Sequence, residues 1–495
     1  MKTMLKKISC FLLTVIMLVS IATPAFAKET RTPVILVHGL GANPVYKNIG
    51  TDDQSEIKYL GLENFIVDLL QDSDVIDEVM KMLDPKRKTN DKKLINELAQ
   101  LVGKDNVINC TKNGNIKKGQ GVINYWTDPL SKHKSYWKDA DVAESAIARQ
   151  LCKEVGAKNV YCFNYDWRQD VCTTAKQLNS YIKTIKKKTG AKKVSLVGCS
   201  LGGAVLSAYF DAYKNKKDIK AAVFVNPAIG GVDVARAYAL DIKISKKTVL
   251  KYIKSMETSF DGGNSKVLFR LLGVLGEKRI GYAADYLSKF VKKKSNIKAL
   301  YKKVLKPWIG NIPSLWECVP YSSYDKAVKE MSKIGFLDKK SGVYKKIKKY
   351  HGVQGRFKKN IKAVKKQGVQ VAIIASYGTM GIPLTSKANN QTDALIDTKH
   401  ASAGATVAKF GHKLKAKGKY VSADKVINAK TCVLPDNTWF IKDVQHMRFY
   451  YNSSATKLVA RLACGKVKAN LKAVKKKYKY GQFLKETDRK LYNVK

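Results

Sequence analysis

The run Lys193-Val-Ser-Leu-Val-Gly-Cys-Ser-Leu-Gly-Gly-Ala204 sets a serine among glycines, directly behind one apolar stretch and directly ahead of another. A serine hydroxyl is a weak nucleophile at neutral pH, but held on a sharp turn beside a base it can attack a carbonyl carbon. The pattern Gly198-x-Ser200-x-Gly202 has the spacing of such a turn, because neighbours without a Cβ let a strand and a helix approach closely. Leu201, at the start of the helix, would aim its backbone N–H at the same point, where it could hold a developing oxyanion. The same residues also suit a plain glycine-rich strand–helix turn with Ser200 as N-cap. The partners must decide.

A nucleophilic serine needs a base, usually histidine, and a carboxylate to orient it. The chain has six histidines. On a strand–turn–helix serine site the partners follow the serine in the order acid, then histidine. His38 and His133 precede Ser200, and His351 precedes the last long strand, which leaves His400, His412 and His446. His446 falls in the loop beyond the short aromatic run Asn437 to Lys442, from which an imidazole can reach back over a sheet edge; it is the expected base. The acid should lie beyond the strand Val369 to Ser376, in the segment Gln391 to Asp397. Asp393 is the expected acid and Asp424 the alternative, and either also suits an ordinary solvated aspartate or helix cap.

The positioning elements follow from periodicity. Thr32 to Gly39, Asn159 to Asp166, Val194 to Val197, Ala221 to Asn226 and Val369 to Ser376 are largely apolar, β-branched runs of strand length. Between Thr173 and Lys188, Ala175, Leu178, Ile182 and Ile185 fall on one helical face. Strands alternating with helices predict a mostly parallel sheet. Two stretches interrupt this rhythm: a helical insertion over about 45–141 and a run of amphipathic segments over 228–367, read as a helical cap between sheet strands. The expected division is a leader over 1–27, a first core part over 28–227, the cap over 228–367, a second core part over 368–465 and a basic terminal segment over 466–495. Within the cap, Val267 to Leu275 carries a single charge and must be covered by protein or contact something apolar.

Residues 1–27 combine lysines, an apolar run from Ile8 to Ile21 and the small-residue site Ala25-Phe-Ala27, the three parts of a secretory signal. An exported protein, secreted or held at the cell surface, is expected. The chain has a formal net charge of +52 with 45% hydrophobic residues, which describes a globular protein with a positive surface rather than a disordered polycation. Its lysines are spread over helices, so they read first as solvated faces, with attraction to anionic membrane or cell-wall polymers as the functional alternative. No nucleic-acid-binding motif is present. The eight cysteines after Cys10 show no zinc-site spacing, and one or two disulfides are compatible with that number. No metal or other cofactor is required by the chemistry above.

Together, Val37-His-Gly-Leu-Gly41, Asn164-Tyr-Asp-Trp-Arg168, Gly198-Cys-Ser-Leu-Gly202, the region around Asp393 and His446 resemble secreted lipases and esterases of the α/β-hydrolase fold, near the triacylglycerol lipase and lecithin:cholesterol acyltransferase-like branches. The resemblance spans roughly residues 33–462. It implies a central sheet flanked by helices with a lid, a second oxyanion donor at the backbone N–H of Leu40 beside that of Leu201, and hydrolysis of lipid esters. Asp393 is followed by Ala394 where the family commonly has glycine. Two other classes share these features: an acyltransferase or amidase with the same triad, and a non-catalytic surface-binding protein that keeps the fold.

Overall fold

The structure is a computed structural model. It describes residues 31–57, 73–103, 108–138, 144–257 and 264–495, without the side chains at 73–76, 216, 256–257 and 264–273. The expected leader over 1–27 lies outside the described residues.

Eight strands form one sheet: β1 (Val34–Val37), β2 (Val160–Phe163), β3 (Val194–Cys199), β4 (Ile219–Val225), β5 (Gln370–Tyr377), β6 (Thr438–Lys442), β7 (Phe483–Thr487) and β8 (Lys490–Asn493). Their spatial order is β8-β7-β6-β5-β4-β3-β1-β2, every pair parallel except the closing β7–β8 hairpin. Asp488 and Arg489 both have positive φ, as a two-residue hairpin turn requires.

Alternate residues of each strand enter two different cores. Ile35, Val37, Tyr161, Phe163, Leu196, Phe224 and Ile373 pack on one face with α2 (Val171–Thr189), α3 (Leu201–Tyr213) and α5 (Gly342–Lys366). Val34, Leu36, Cys162, Val197, Val223, Val225 and Ile374 pack on the other with α1 (Ser145–Val155), α6 (His446–Asn452) and α7 (Thr456–Ala463). A sheet covered on both faces needs strands that are apolar throughout. That is why these runs lack the polar alternation of a half-exposed sheet.

Two boundaries differ from the sequence expectation. Helix α5, read as part of the cap, packs through Tyr350, Phe357, Ile361 and Val364 against the sheet and α3, so it is the crossover helix between β4 and β5. Periodicity reveals an apolar face without revealing what covers it. The basic terminal segment over 466–495, set apart from the core above, belongs to it: it supplies β7 and β8, and buries Val474 and Leu484.

Between β4 and α5 the insertion holds a tight helical turn (Asp233–Ala239), helices Lys246–Glu257, α4 (Asn264–Lys292) and Tyr324–Lys333, and its own aromatic core of Tyr238, Trp316, Tyr301 and Phe336. The apolar stretch Val267 to Leu275 lies in α4, whose helical geometry breaks at Gly276; Val274 is 83% exposed, while the side chains at 267–273 lie outside the described residues. All eight cysteines after Cys10 carry free thiols. Among the described residues no helix is long and apolar enough to cross a membrane.

Candidate active site

Strand β3 runs into α3 through Ser200, whose φ of 52° and ψ of −118° place a non-glycine residue in a strained region. Such strain costs about 1–3 kcal/mol and persists only where the surroundings enforce it. Here the Ser200 N–H donates to the Val225 carbonyl at 3.0 Å, and the Ser200 carbonyl accepts from Gly203 N–H at 3.0 Å and Ala228 N–H at 2.9 Å. The glycines are sterically required. A Cβ on Gly202 would strike the carbonyl oxygens of Val37 and His38, and one on Gly198 would sit 2.8 Å from the Gly202 carbonyl oxygen. Gly202→Ala is therefore expected to destabilise the protein by about 1–3 kcal/mol, since neither backbone can retreat without parting α3 from β1. In a chain of this length that loss lowers the melting temperature by about 1–3 °C, and a variant that melts at or above the parent's temperature would contradict this close approach.

From this turn a hydrogen-bonded chain extends across the strand ends. Ser200 Oγ lies 3.0 Å from His446 Nε2, and His446 Nδ1 lies 2.6 Å from Asp393 Oδ2. His446 opens α6 just beyond β6, and Asp393 sits in the loop beyond β5. The two loops are joined twice, because the His446 backbone N–H also donates to the Asp393 carbonyl at 2.6 Å. Asp393 Oδ1 is held by the N–H groups of Leu395 at 3.0 Å and Ile396 at 2.6 Å. All three residues are buried.

The alpha/beta hydrolase fold family model matches residues 149–308. With the parallel sheet flanked by helices, this decides the architecture. The chain has the α/β-hydrolase fold. No match is found among curated proteins. Among solved structures, one titled "The crystal structure of Tle4-Tli4 complex" is similar at 13% identity and a TM-score of 0.34, covering 88% of this chain and 97% of that one.

Within this fold Asp424 stands apart from the serine. It accepts from Tyr377 Oη at 3.0 Å, Ser422 Oγ at 2.6 Å and Lys442 Nζ at 2.9 Å. Burial alone would raise its carboxyl, but these bonds, the Val426 N–H and the Lys442 charge outweigh it and hold it below the usual range. The other histidines are also engaged elsewhere or exposed. His133 stacks on Trp126 and His351 on Tyr324; His412 is exposed.

Three further features surround the triad. Ala394 has a φ of 79°, a left-handed conformation that suits glycine, and the chain places alanine in it. His38 clamps the loop after β1. Its Nε2 accepts from Asn43 Nδ2 at 2.7 Å and Tyr165 N–H at 3.2 Å, so its Nδ1–H donates to the Gly39 carbonyl at 2.7 Å. Burial pushes its pKa down to about 4, despite support from those bonds and Asp166, so the clamp is neutral. Asp166 pairs with Arg168 at 2.7 Å, both fully enclosed.

Leu40 and Leu201, the expected oxyanion donors, line one cavity with Ser200 and His446. The cavity is about 460 Å³, and its walls include Val234, Ala235, Leu305, Ile309 and Phe336 of the insertion.

Sequence reasoning missed Glu144, which is buried in the same cavity and accepts the Gly39 N–H on Oε1 at 2.8 Å. A signal was present: it is the only charge between Val142 and Ala148.

Among the described residues Asp233, Asp397 and His400 are arranged so that a metal ion could be held, their ligand atoms lying within 4.8 Å of one another. Asn390 Nδ2 already bridges the two carboxylates, at 2.9 and 2.6 Å, and His400 Nε2 lies 3.6 Å from Asp233. The group ties the first residues of the insertion to the acid loop.

Proposed function

We propose that this protein is an exported serine ester hydrolase acting on lipid or other apolar acyl esters. The observation that carries the reading is the Ser200–His446–Asp393 chain, at 3.0 and 2.6 Å, opening on an apolar cavity of about 460 Å³. A cavity of that size and lining accommodates an acyl chain better than a polar substrate.

The chemistry follows from the atoms in place. Ser200 Oγ bonds to the ester carbonyl carbon while His446 Nε2 takes the hydroxyl proton, and the carbonyl π pair moves onto oxygen. The N–H groups of Leu40 and Leu201 hold that oxyanion, each worth about 3–4 kcal/mol in the transition state. Collapse re-forms the carbonyl, breaks the bond to the alkoxy oxygen, and the leaving alcohol receives the proton from His446. Water then repeats the sequence on the acyl-enzyme, releasing the carboxylic acid and returning the proton to Ser200. Asp393 keeps the imidazole in the Nδ1–H form and stabilises it when charged.

A panel of p-nitrophenyl esters of graded acyl length tests the reading. Turnover that peaks at medium or long chains supports it; no turnover on any member would overturn it.

The formal charge of +52, about +49 without Lys2, Lys6 and Lys7 of the expected leader, supports a second part of the proposal, retention of the exported enzyme at anionic surfaces. Each lysine near such a surface contributes about 1 kcal/mol, with a reach that salt shortens from about 10 Å at 0.1 M to about 3 Å at 1 M. Sedimentation with vesicles is therefore expected to recover the protein on anionic but not neutral lipid at low salt, and to release it at 1 M salt. Equal recovery on both lipids would mean that the lysines serve solubility alone.

A further inference from the structure

We propose that Glu144, as the neutral carboxylic acid, is a third hydrogen-bond donor to the oxyanion formed on Ser200. The proposal deepens the ester-hydrolase reading and rests on it. Glu144 precedes α1 with a φ of 58°, a left-handed conformation costly for a side-chain-bearing residue, and that bend delivers its carboxyl to the catalytic cavity. Oε1 accepts the Gly39 N–H at 2.8 Å, whereas Oε2 is buried and has no hydrogen-bond partner among the described residues. An enclosed carboxylate oxygen without a partner is costly. If Oε1 is the carbonyl oxygen, the proton belongs on Oε2, the one oxygen with an unspent hydrogen bond. The serine is adjacent. A Cβ built on Gly39 would lie 3.4 Å from Glu144 Oε1, 3.5 Å from Ser200 Oγ and 3.0 Å from Ser200 Cβ, so carboxyl and hydroxyl flank the same small space beside Leu40.

The surroundings favour the neutral form. Desolvation raises the Glu144 pKa to about 7, opposed by the Gly39 N–H and by His446. The other titratable groups that sense it are Tyr136, Tyr165, Tyr450, Cys162 and Cys199, all held neutral by burial. Nearby His38 is neutral as well. His446 is thus the one partner among these that can carry positive charge. The proton on Oε2 is shared with the oxyanion and not transferred, so no further acid is consumed in the cycle. When Glu144 ionises, donation ends and a negative charge faces the forming oxyanion. The rate should then fall as pH rises through about 7.

Two rates read this across about pH 5 to 9 in the parent, E144Q and E144A: hydrolysis of a p-nitrophenyl ester, and labelling of Ser200 by an alkyl fluorophosphonate, which places a phosphoryl oxygen in the same hole. The parent should lose both rates above about pH 7. E144Q, whose amide oxygen accepts the Gly39 N–H and whose NH₂ donates without ionising, should keep them. E144A should lose on the order of 100-fold in kcat with little change in KM. An E144Q that follows the parent's alkaline loss or is inactive at every pH, or a folded E144A that matches the parent, would overturn the assignment. Labelling that shows this dependence while no ester is turned over would remove the ester reading and leave the role of Glu144; ester turnover indifferent to Glu144 would do the reverse.

Discussion

Ser200→Ala is expected to reduce kcat for ester hydrolysis by about 10⁶-fold while leaving the circular dichroism spectrum unchanged. Only Oγ is lost, and with it the 3.0 Å bond to His446 Nε2. The backbone bonds from Ser200 to Val225, Gly203 and Ala228 remain, so the turn should hold. Loss on this scale is what removal of a covalent nucleophile produces; residual activity of a few per cent would assign the chemistry to another group. The same variant suits the vesicle experiment, since it separates surface attachment from turnover.

The carboxylates give the second large contrast. Asp393→Asn is expected to lower kcat by about 10⁴-fold, because an amide can donate to His446 Nδ1 and so place the ring proton on Nε2, where it blocks removal of the serine proton. Asp424→Asn should stay within a few-fold of the parent in kcat. Its partners are Tyr377, Ser422 and Lys442, and its loss would loosen that junction without touching the imidazole. Parallel kinetics on the two variants decide between them, and a larger loss at Asp424 would mean that the acid loop rearranges before catalysis.

The site was partly legible in the chain because some of its geometry is local. The turn at Ser200 is encoded within five residues, Gly198 to Gly202, and the strand before and helix after it have distinct periodicities. His446 and Asp393 could be reached by position, each in a loop after an identifiable strand. Glu144 could not be: its partner Gly39 is 105 residues away, and the contact depends on the bend at the head of α1. Nor could the role of His38, whose placement beyond β1 is local but whose clamp needs Tyr165 from the loop after β2.

The parallel sheet was legible because strands buried on both faces are nearly all apolar, as in Val34–Val37 and Ala221 to Val225. Its far edge was hidden by charge. In Phe483–Thr487 buried Leu484 and Glu486 alternate with exposed Lys485 and Thr487, a pattern overshadowed by the lysines around it. Charged side chains on an outer strand also guard against edge-to-edge pairing, so the feature that obscured β7 and β8 suits their position. Helix α5 was misplaced for a related reason. Lysines fill its outer face, and the inner face gives no hint whether sheet or cap lies beneath it.

The central claim is a covalent acyl-enzyme on Ser200, and trapping it is the most direct measurement. A medium-chain p-nitrophenyl ester is mixed with the enzyme, quenched in acid within the first turnovers, and the digest is read by mass spectrometry. The account predicts one acyl group per chain on the peptide containing Ser200, formed together with a burst of p-nitrophenol and absent from Ser200→Ala. Release of p-nitrophenol with the acyl group on a different residue would contradict it.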